Sequence, residues 1–182
     1  MSDDPRLALR HCPHCGGASF VRRTPQRDDR ARLVCEACGY VHYVGPLLAA
    51  GAILHDGERI CLVRRAHDPG RGKWTFPGGY VDLDEEAAAA ALRETEEETG
   101  LAARIEGLVG VYNSLGPRDR RVVIVVYGAR AAGAGAPGTG VVEEVEEVRW
   151  FSPPELPWNA LAFPSSARAL RDFLSCFPAA AG

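Results

Sequence analysis

Residues 78–101 read GGYVDLDEEAAAAALRETEEETGL. The alanine-rich run predicts a helix over about 85–99, ended by Gly100 in the left-handed position that closes many helices. Its second half carries Glu94, Glu96, Glu97 and Glu98. Residues three and four apart share a helix face, so Glu94 lies beside both Glu97 and Glu98. Like charges at that spacing cost about 0.2–0.5 kcal/mol per pair. Each anion near a helix C-terminus also opposes the helix dipole, by roughly 0.3–1 kcal/mol. Upstream, the same face is Ala87, Ala90 and Ala91, small enough for another layer to approach closely. A local conflict of this kind is expected at functional sites. A divalent cation would remove it, because Mg²⁺ takes carboxylate oxygens and keeps waters and substrate phosphates as further ligands. The alternative is a solvated acidic face, the usual fate of a charge run.

The surrounding chain has 182 residues, is 46% hydrophobic and 25% charged, and carries a formal net charge of -3. That balance suits one sizeable core with a small appendage and marks neither a nucleic-acid nor an anionic-membrane binder. No apolar run approaches the roughly 20 residues of a membrane span. The opening MSDDPRLALR lacks the basic-then-apolar order of a secretion signal, so the expectation is a cytoplasmic protein with no membrane partner.

Four of the six cysteines form two Cys-x-x-Cys pairs, Cys12/Cys15 and Cys35/Cys38, each followed by a glycine, Gly16 or Gly39. Glycine tolerates the positive φ that a tight turn around a metal requires. Between the pairs, residues 20–23 and 32–34 read as short strands joined by a polar turn. In a reducing compartment this is zinc-ribbon spacing, with free thiols or a redox pair as the alternatives. Four thiolates leave no open coordination position, so Zn²⁺ here would be structural and would supply folding free energy. His14 and His42 are spare ligands. Cys61 and Cys176 stand alone in apolar segments and read as core fillers. The predicted domains are residues 1–45, the ribbon, and residues 46–182.

In the second domain, LLAAGAILHDGERICLVRR reads as strand, Asp56-Gly57 turn, strand. AHDPGRGKWTFPGG is a loop, ARIEGLVGVYNS and RRVVIVVYGARA are strands, AGAGAPGTG is a loop, and EEVEEVRWFS is a strand. FPSSARALRDFLSCF is a terminal helix with a serine cap candidate and an apolar face of Leu170, Phe173, Leu174 and Phe177. Mixed in this order, the elements predict an α/β sandwich around a mixed sheet.

Gly79, Glu85, Arg93, Glu94, Glu97, Glu98, Gly100 and Leu101 stand at the spacing of G-x5-E-x7-R-E-U-x-E-E-x-G-U, where U is aliphatic. The stretch resembles the Nudix box. Thr95 at the first U is the one departure, and it bears on packing rather than chemistry. KWTFPGG resembles the family's lead-in to the box. The resemblance covers about residues 46–182, and the ribbon in front is similar to that of Nudix NADH, ADP-ribose and FAD pyrophosphatases.

The resemblance implies an α/β/α sandwich and hydrolysis of a nucleoside diphosphate linked to another moiety. It implies that Glu94, Glu97 and Glu98, with the backbone carbonyl of Gly79, hold Mg²⁺ or Mn²⁺. Glu94 is also a candidate general base. Arg93 would pair with Glu85 to hold the loop and the carboxylates, with an ordinary surface ion pair as the alternative. Glu144, six residues before Trp150, is the candidate for a further acidic group, with Glu143 next and a solvated loop as the bland reading. Arg71 and Lys73 are candidate phosphate contacts. Trp74 and Tyr112 are candidates for stacking on a base, though aromatics at such places more often fill core.

NADH pyrophosphatases carry S-Q-P-W-P-F-P-x-S after the box; VYNSLGPRDRRVVIVVY does not match it. ADP-ribose-like substrates therefore come first, with NADH, FAD or an RNA cap as alternatives. A nucleotide-sensing regulator is the non-enzyme alternative, and its relatives usually lose box residues that this chain keeps. The ribbon's arginines are interrupted by Asp28 and Asp29, which argues against a nucleic-acid partner. Many relatives are homodimers, so a homodimer is a possible partner state.

Overall fold

In the computed structural model, residues 9–116, 120–133 and 143–176 are described. The chain divides into two compact units, Met1–Gly45 and Pro46–Gly182. In the first, β1 (Phe20–Arg23), β2 (Arg32–Cys35) and β3 (Val41–His42) form an antiparallel sheet in the order β1-β2-β3. Both cysteine pairs lie in equivalent turns. Gly16 N–H donates to the Cys12 carbonyl at 2.8 Å and Gly39 N–H to the Cys35 carbonyl at 2.9 Å. Both glycines have φ near +75°, which side chains rarely tolerate.

The second unit is built on a sheet ordered β10-β5-β4-β9-β8, from β4 (Leu47–His55), β5 (Ile60–Arg65), β8 (Ala103–Leu115), β9 (Arg121–Ala131) and β10 (Val145–Phe151). β4 runs parallel to β9 and the other pairs are antiparallel, so the sheet is mixed. The Asp56-Gly57 turn joins β4 to β5. Asp56 Oδ1 accepts from the N–H groups of Glu58 and Arg59 at 3.0 and 2.7 Å, and Gly57 has φ +111°.

The stretch read as a loop before the helix contains two further strands, β6 (Trp74–Thr75) on β5 and β7 (Gly78–Tyr80) on β4. They are too short to show periodicity. β4 touches β5 only at Leu54 and His55 and gives residues 49–51 to β7. Gly51 makes that exchange possible, since a Cβ there would lie 2.7 Å from the Pro77 carbonyl oxygen.

α1 (Ala87–Thr99) covers one face of the sheet. Its Ala90 and Ala91 meet Ala50, Ala52 and Ala129 in an all-alanine layer. Small side chains on both sides bring helix and strands close. Gly100 closes the helix with φ 69°, its N–H donating to the Glu96 carbonyl at 2.8 Å. Thr95 is fully buried, and its hydroxyl donates to the Ala91 carbonyl at 2.6 Å. The helix satisfies the departing residue internally. α2 (Pro164–Cys176) covers the opposite face, where Ala169, Leu170 and Phe173 pack with Ile53, Leu62, Phe76, Val126 and Phe151.

Three expectations about α2 need correction or restriction. Pro164 begins the helix, as its fixed φ and missing N–H suit a first helical position. Ser165 and Ser166 are therefore inside the helix and buried, and Ser166 pairs its hydroxyl with Thr75 at 3.0 Å. Cys176 is exposed at the helix end, whereas Cys61 is buried in the core. Phe177, and most of the loop read in AGAGAPGTG, lie outside the described residues. Among the described residues, no helix is long and apolar enough to cross a membrane.

Candidate active site

The acidic end of α1 lies against β7. Glu98 is 6% exposed, and its carboxylate accepts from the Gly78 N–H at 2.9 Å. Burial pushes this carboxyl up to about 8, with Glu94 and Glu144 adding to the rise and the Gly78 N–H and Arg65 opposing it. Burial also raises Glu94, against the pull of Arg93. Both carboxyls are thus held in an environment that disfavours their charge, which a cation would reverse.

Arg93 gathers the other acids. Its Nε and Nη2 donate to the two oxygens of Glu85 at 2.9 and 3.0 Å. Nη1 donates to Glu94 at 2.9 Å and Glu97 at 3.0 Å. Arg93 Nη2 also reaches the Tyr80 carbonyl at 3.3 Å, tying α1 to β7. The Arg93 hydrogen bond draws the Glu85 carboxyl below its ordinary range. One guanidinium therefore answers the like-charge conflict read in the sequence.

Gly78 and Gly79 let the helix come this close. A Cβ on Gly79 would collide with the Glu94 carboxylate. A Cβ on Gly78 would stand 2.6 Å from the Ala50 carbonyl oxygen and 2.7 Å from Gly51 Cα. The obstacles differ: at Gly79 a side chain can yield, at Gly78 only backbone stands in the way. Gly79→Ala is therefore expected to keep its melting temperature within a few degrees and lose activity by about 10–100-fold, as when a ligand-orienting group is removed. Gly78→Ala is expected to lose about 1–3 kcal/mol of stability, the range of overpacking. Thermal melts beside steady-state rates separate the two.

Glu144 is exposed, in the residues leading into β10, and its carbonyl accepts from Ala66 N–H at 2.8 Å. Its negative charge adds to the rise of the Glu94 and Glu98 carboxyls. Glu143 is exposed too, with no contact to the cluster recorded among the described residues. Arg71 is exposed and weakly paired with Glu146 at 3.7 Å; Lys73 is exposed on the same loop. Trp74 and Tyr112 are not brought to the acidic helix. Both are buried in the core on the α2 side, Trp74 edge-on to Phe151 at 5.0 Å and Tyr112 donating to Asp172 at 2.7 Å. Their burial favours the core-filling alternative over stacking on a base. Arg65, whose charge reaches Glu98, was not singled out in the sequence. A second arginine at a strand end carries no spacing signal.

The residues fit a hard cation. The Glu94 carboxylate lies against Gly79, and the buried Glu98 carboxylate accepts one N–H, from Gly78. Among the described residues, however, only the four ribbon thiols place three or more metal-ligating atoms within 4.8 Å of one another. Cys12 and Cys38 sulfurs lie 3.7 Å apart, as do those of Cys15 and Cys35. Four sulfurs about 2.3 Å from a tetrahedral zinc would be about 3.8 Å apart. The ribbon is assembled for zinc, while Arg93 and the Gly78 N–H divide the glutamates between them.

Comparison with known proteins matches both parts of the chain. A family model described as NUDIX domain matches residues 45–173, and one described as Nudix N-terminal, a zinc ribbon, matches residues 10–44. An ADP-ribose pyrophosphatase of Methanocaldococcus jannaschii is 37% identical over 90 residues, 48% of this chain and 53% of that protein. The chain thus spans about half the length of that relative. A putative 8-oxo-dGTP diphosphatase of Bacillus subtilis is 35% identical over 66% of this chain and 74% of its own length. The crystal structure of a NUDIX hydrolase from Nitrosomonas europaea superposes with a TM-score of 0.78 at 33% identity, covering 92% of this chain and 91% of that one. An acidic helix locked to a glycine strand, preceded in sequence by a four-cysteine ribbon, therefore has its family: the chain belongs to the Nudix hydrolases, with a Nudix domain following an N-terminal zinc ribbon.

Proposed function

We propose that the chain is a Mg²⁺- or Mn²⁺-dependent pyrophosphohydrolase of nucleoside diphosphates linked to a further moiety, with ADP-ribose-like substrates first. Water adds to one phosphorus of the diphosphate, the P–O–P bond breaks, and AMP leaves with a phosphorylated product. The observation that carries this reading is the seating of Glu94 and Glu98 against Gly78 and Gly79.

Glu94, Glu97, Glu98 and the Gly79 carbonyl would hold the cation. Bound there, it would offset the charge of the diphosphate and acidify a water. Glu94, whose carboxyl is raised by burial, would also serve as the general base that takes a proton from that water, with Glu144 as the further acidic group. Arg93 orients Glu94 and Glu97 while Glu85 holds Arg93, a supporting layer of the kind that sets ligand geometry. Arg71 and Lys73 offer exposed cations to the phosphates. Residues 1–45 act as a structural zinc unit and residues 46–182 as the catalytic one, in a cytoplasmic protein that forms a homodimer.

The test is product analysis in Mg²⁺ with ADP-ribose, NADH, NAD⁺, FAD and NAD-capped RNA. The last belongs in the panel because an NAD-capped RNA hydrolase of Haemophilus influenzae is 29% identical over 80% of this chain. AMP released fastest from ADP-ribose supports the reading. A panel untouched in Mg²⁺ and Mn²⁺, with one nucleotide still raising the melting temperature, would replace it by a nucleotide sensor.

A further inference from the structure

The two cysteine turns of the ribbon repeat one geometry. In the first, Cys12 N–H donates to the Gly17 carbonyl at 2.8 Å, and the Cys12 carbonyl accepts from Gly16 N–H at 2.8 Å. In the second, Cys35 N–H donates to the Tyr40 carbonyl at 2.9 Å, and the Cys35 carbonyl accepts from Gly39 N–H at 2.9 Å. Each turn anchors its first cysteine at the base and carries its second toward the tip. Burial follows the turn: Cys12 and Cys35 are buried, Cys15 and Cys38 exposed.

The sulfurs approach each other across the turns. Cys12 lies 3.7 Å from Cys38, and Cys15 lies 3.7 Å from Cys35. Each of these pairs joins a buried cysteine to an exposed one. The pairs are nested in sequence, in keeping with the antiparallel β1–β2 pairing that sets Phe20 opposite Cys35. Gly17 lies against the Cys15–Cys35 pair and puts no side chain over it; a Cβ there would stand 3.4 Å from the Cys15 sulfur and 3.5 Å from the Cys35 sulfur. Oxidants react first with accessible thiolates. An accessible thiolate beside a second sulfur ends as a disulfide, because the neighbour resolves the sulfenic acid before further oxidation. The ribbon holds that arrangement twice.

We propose that the ribbon is a peroxide-responsive zinc site, in which Cys15 and Cys38 are oxidised first and are resolved by Cys35 and Cys12 into two nested disulfides. This rests on the zinc-ribbon reading of the four thiols. At each pair the exposed thiolate attacks one oxygen of hydrogen peroxide; an S–O bond forms, the O–O bond breaks and hydroxide leaves. The buried partner thiolate then attacks that sulfur; the S–S bond forms, the S–O bond breaks and a second hydroxide leaves. Two electrons pass from the two thiolates to each peroxide, and two protons from solvent turn the hydroxides into water. Disulfide sulfurs are no longer thiolates, so the four ligands are lost and Zn²⁺ is released. The bridges join residues 26 and 20 positions apart, and so hold the hairpin closed in the metal's place. Bridges within each Cys-x-x-Cys would close only the turns.

The test is titration of the zinc-loaded full chain with hydrogen peroxide, beside a Cys176→Ser variant that removes the exposed thiol of α2. Released zinc is read with a colorimetric chelator, and bridges by mass spectrometry of alkylated, unreduced peptides. Trypsin separates the two Cys-x-x-Cys segments, so bridges across the turns link two peptides and bridges within them do not. Cleavage after Glu36 and fragmentation of the linked peptides assign the partners. Both proteins are expected to fall from one zinc per chain to none as the Cys12–Cys38 and Cys15–Cys35 bridges appear. Dithiothreitol with added Zn²⁺ should restore the metal. The oxidised, metal-free ribbon should resist trypsin under native conditions, unlike a reduced ribbon stripped by chelator. Zinc retained at a peroxide dose that fully oxidises Cys176 overturns the proposal. So do bridges within each turn, a Cys12–Cys35 bridge, or thiols that end as sulfinic acids. A chain that takes up no zinc sinks the zinc-ribbon reading itself, whereas a loaded chain that keeps its metal sinks this proposal alone.

Discussion

Glu98→Gln is expected to lower the proposed ADP-ribose hydrolysis by at least about 100-fold, the loss that follows when one charge-stabilising group is taken from a transition state. Glu97→Gln does the same, but the two should differ in stability. Glu98 is buried and its carboxyl is raised from an ordinary 4.5 to about 8. In the metal-free protein the native state therefore holds a proton that the unfolded chain releases above about 4.5. Native stability from this group is complete below that value and is lost as pH rises through about 8. Glutamine keeps the shape without the charge. Thermal melts in EDTA should show native protein weakening between pH 5 and 9, and Glu98→Gln weakening less. Mg²⁺ should raise the native melting temperature, most at the alkaline end, and should leave the variant almost unmoved. A variant that melts lower than native at every pH would show that Glu98 is chiefly structural. Glu97 is much more exposed, and its replacement should leave the melting curve unchanged.

Removing zinc is expected to unfold residues 10–44 and leave the Nudix domain folded. Among the ribbon's described residues, Val34 joins Cys12 and Cys35 as the buried apolar ones, far too few to offset chain entropy. Structural zinc supplies roughly 10–16 kcal/mol of binding free energy in comparable small units. Cys35→Ser breaks the site at a fully buried sulfur. Metal analysis should fall from one zinc per chain to none, and trypsin should then cut at Arg22, Arg23, Arg30 and Arg32 within minutes. Native protein treated with a strong zinc chelator should show the same cleavage, reversed by added Zn²⁺. A ribbon that stays resistant to trypsin without metal would mean that its thiols are not what holds it together.

Much of this was legible locally. α1 and its Gly100 stop follow from spacing and from the left-handed freedom of one glycine. The Asp56-Gly57 hairpin follows from turn chemistry, as Asp56 satisfies two N–H groups of its own turn. The cysteine turns follow in the same way. Each of these is settled within a few residues, where the sequence neighbours are also the spatial neighbours.

Other features depended on partners far along the chain. β6 and β7 exist because β5 and β4 supply their hydrogen bonds, and two or three residues hold no period to read. Trp74 and Tyr112 are core rather than site because their strands turn them toward α2, which lies about 50–100 residues further on. Cys61 and Cys176 have the same side chain, yet one is buried on β5 and the other is exposed at the end of α2. Arg64 and Arg65 are adjacent, yet one pairs with Glu146 and Glu147 while the other donates to the Pro69 carbonyl and lies over Phe163. Sequence by itself determined the family, the ribbon and the acidic platform, since their spacing is their signal. Tertiary structure alone decided burial, which sets what a side chain's charge costs and which of its hydrogen bonds remain to be made.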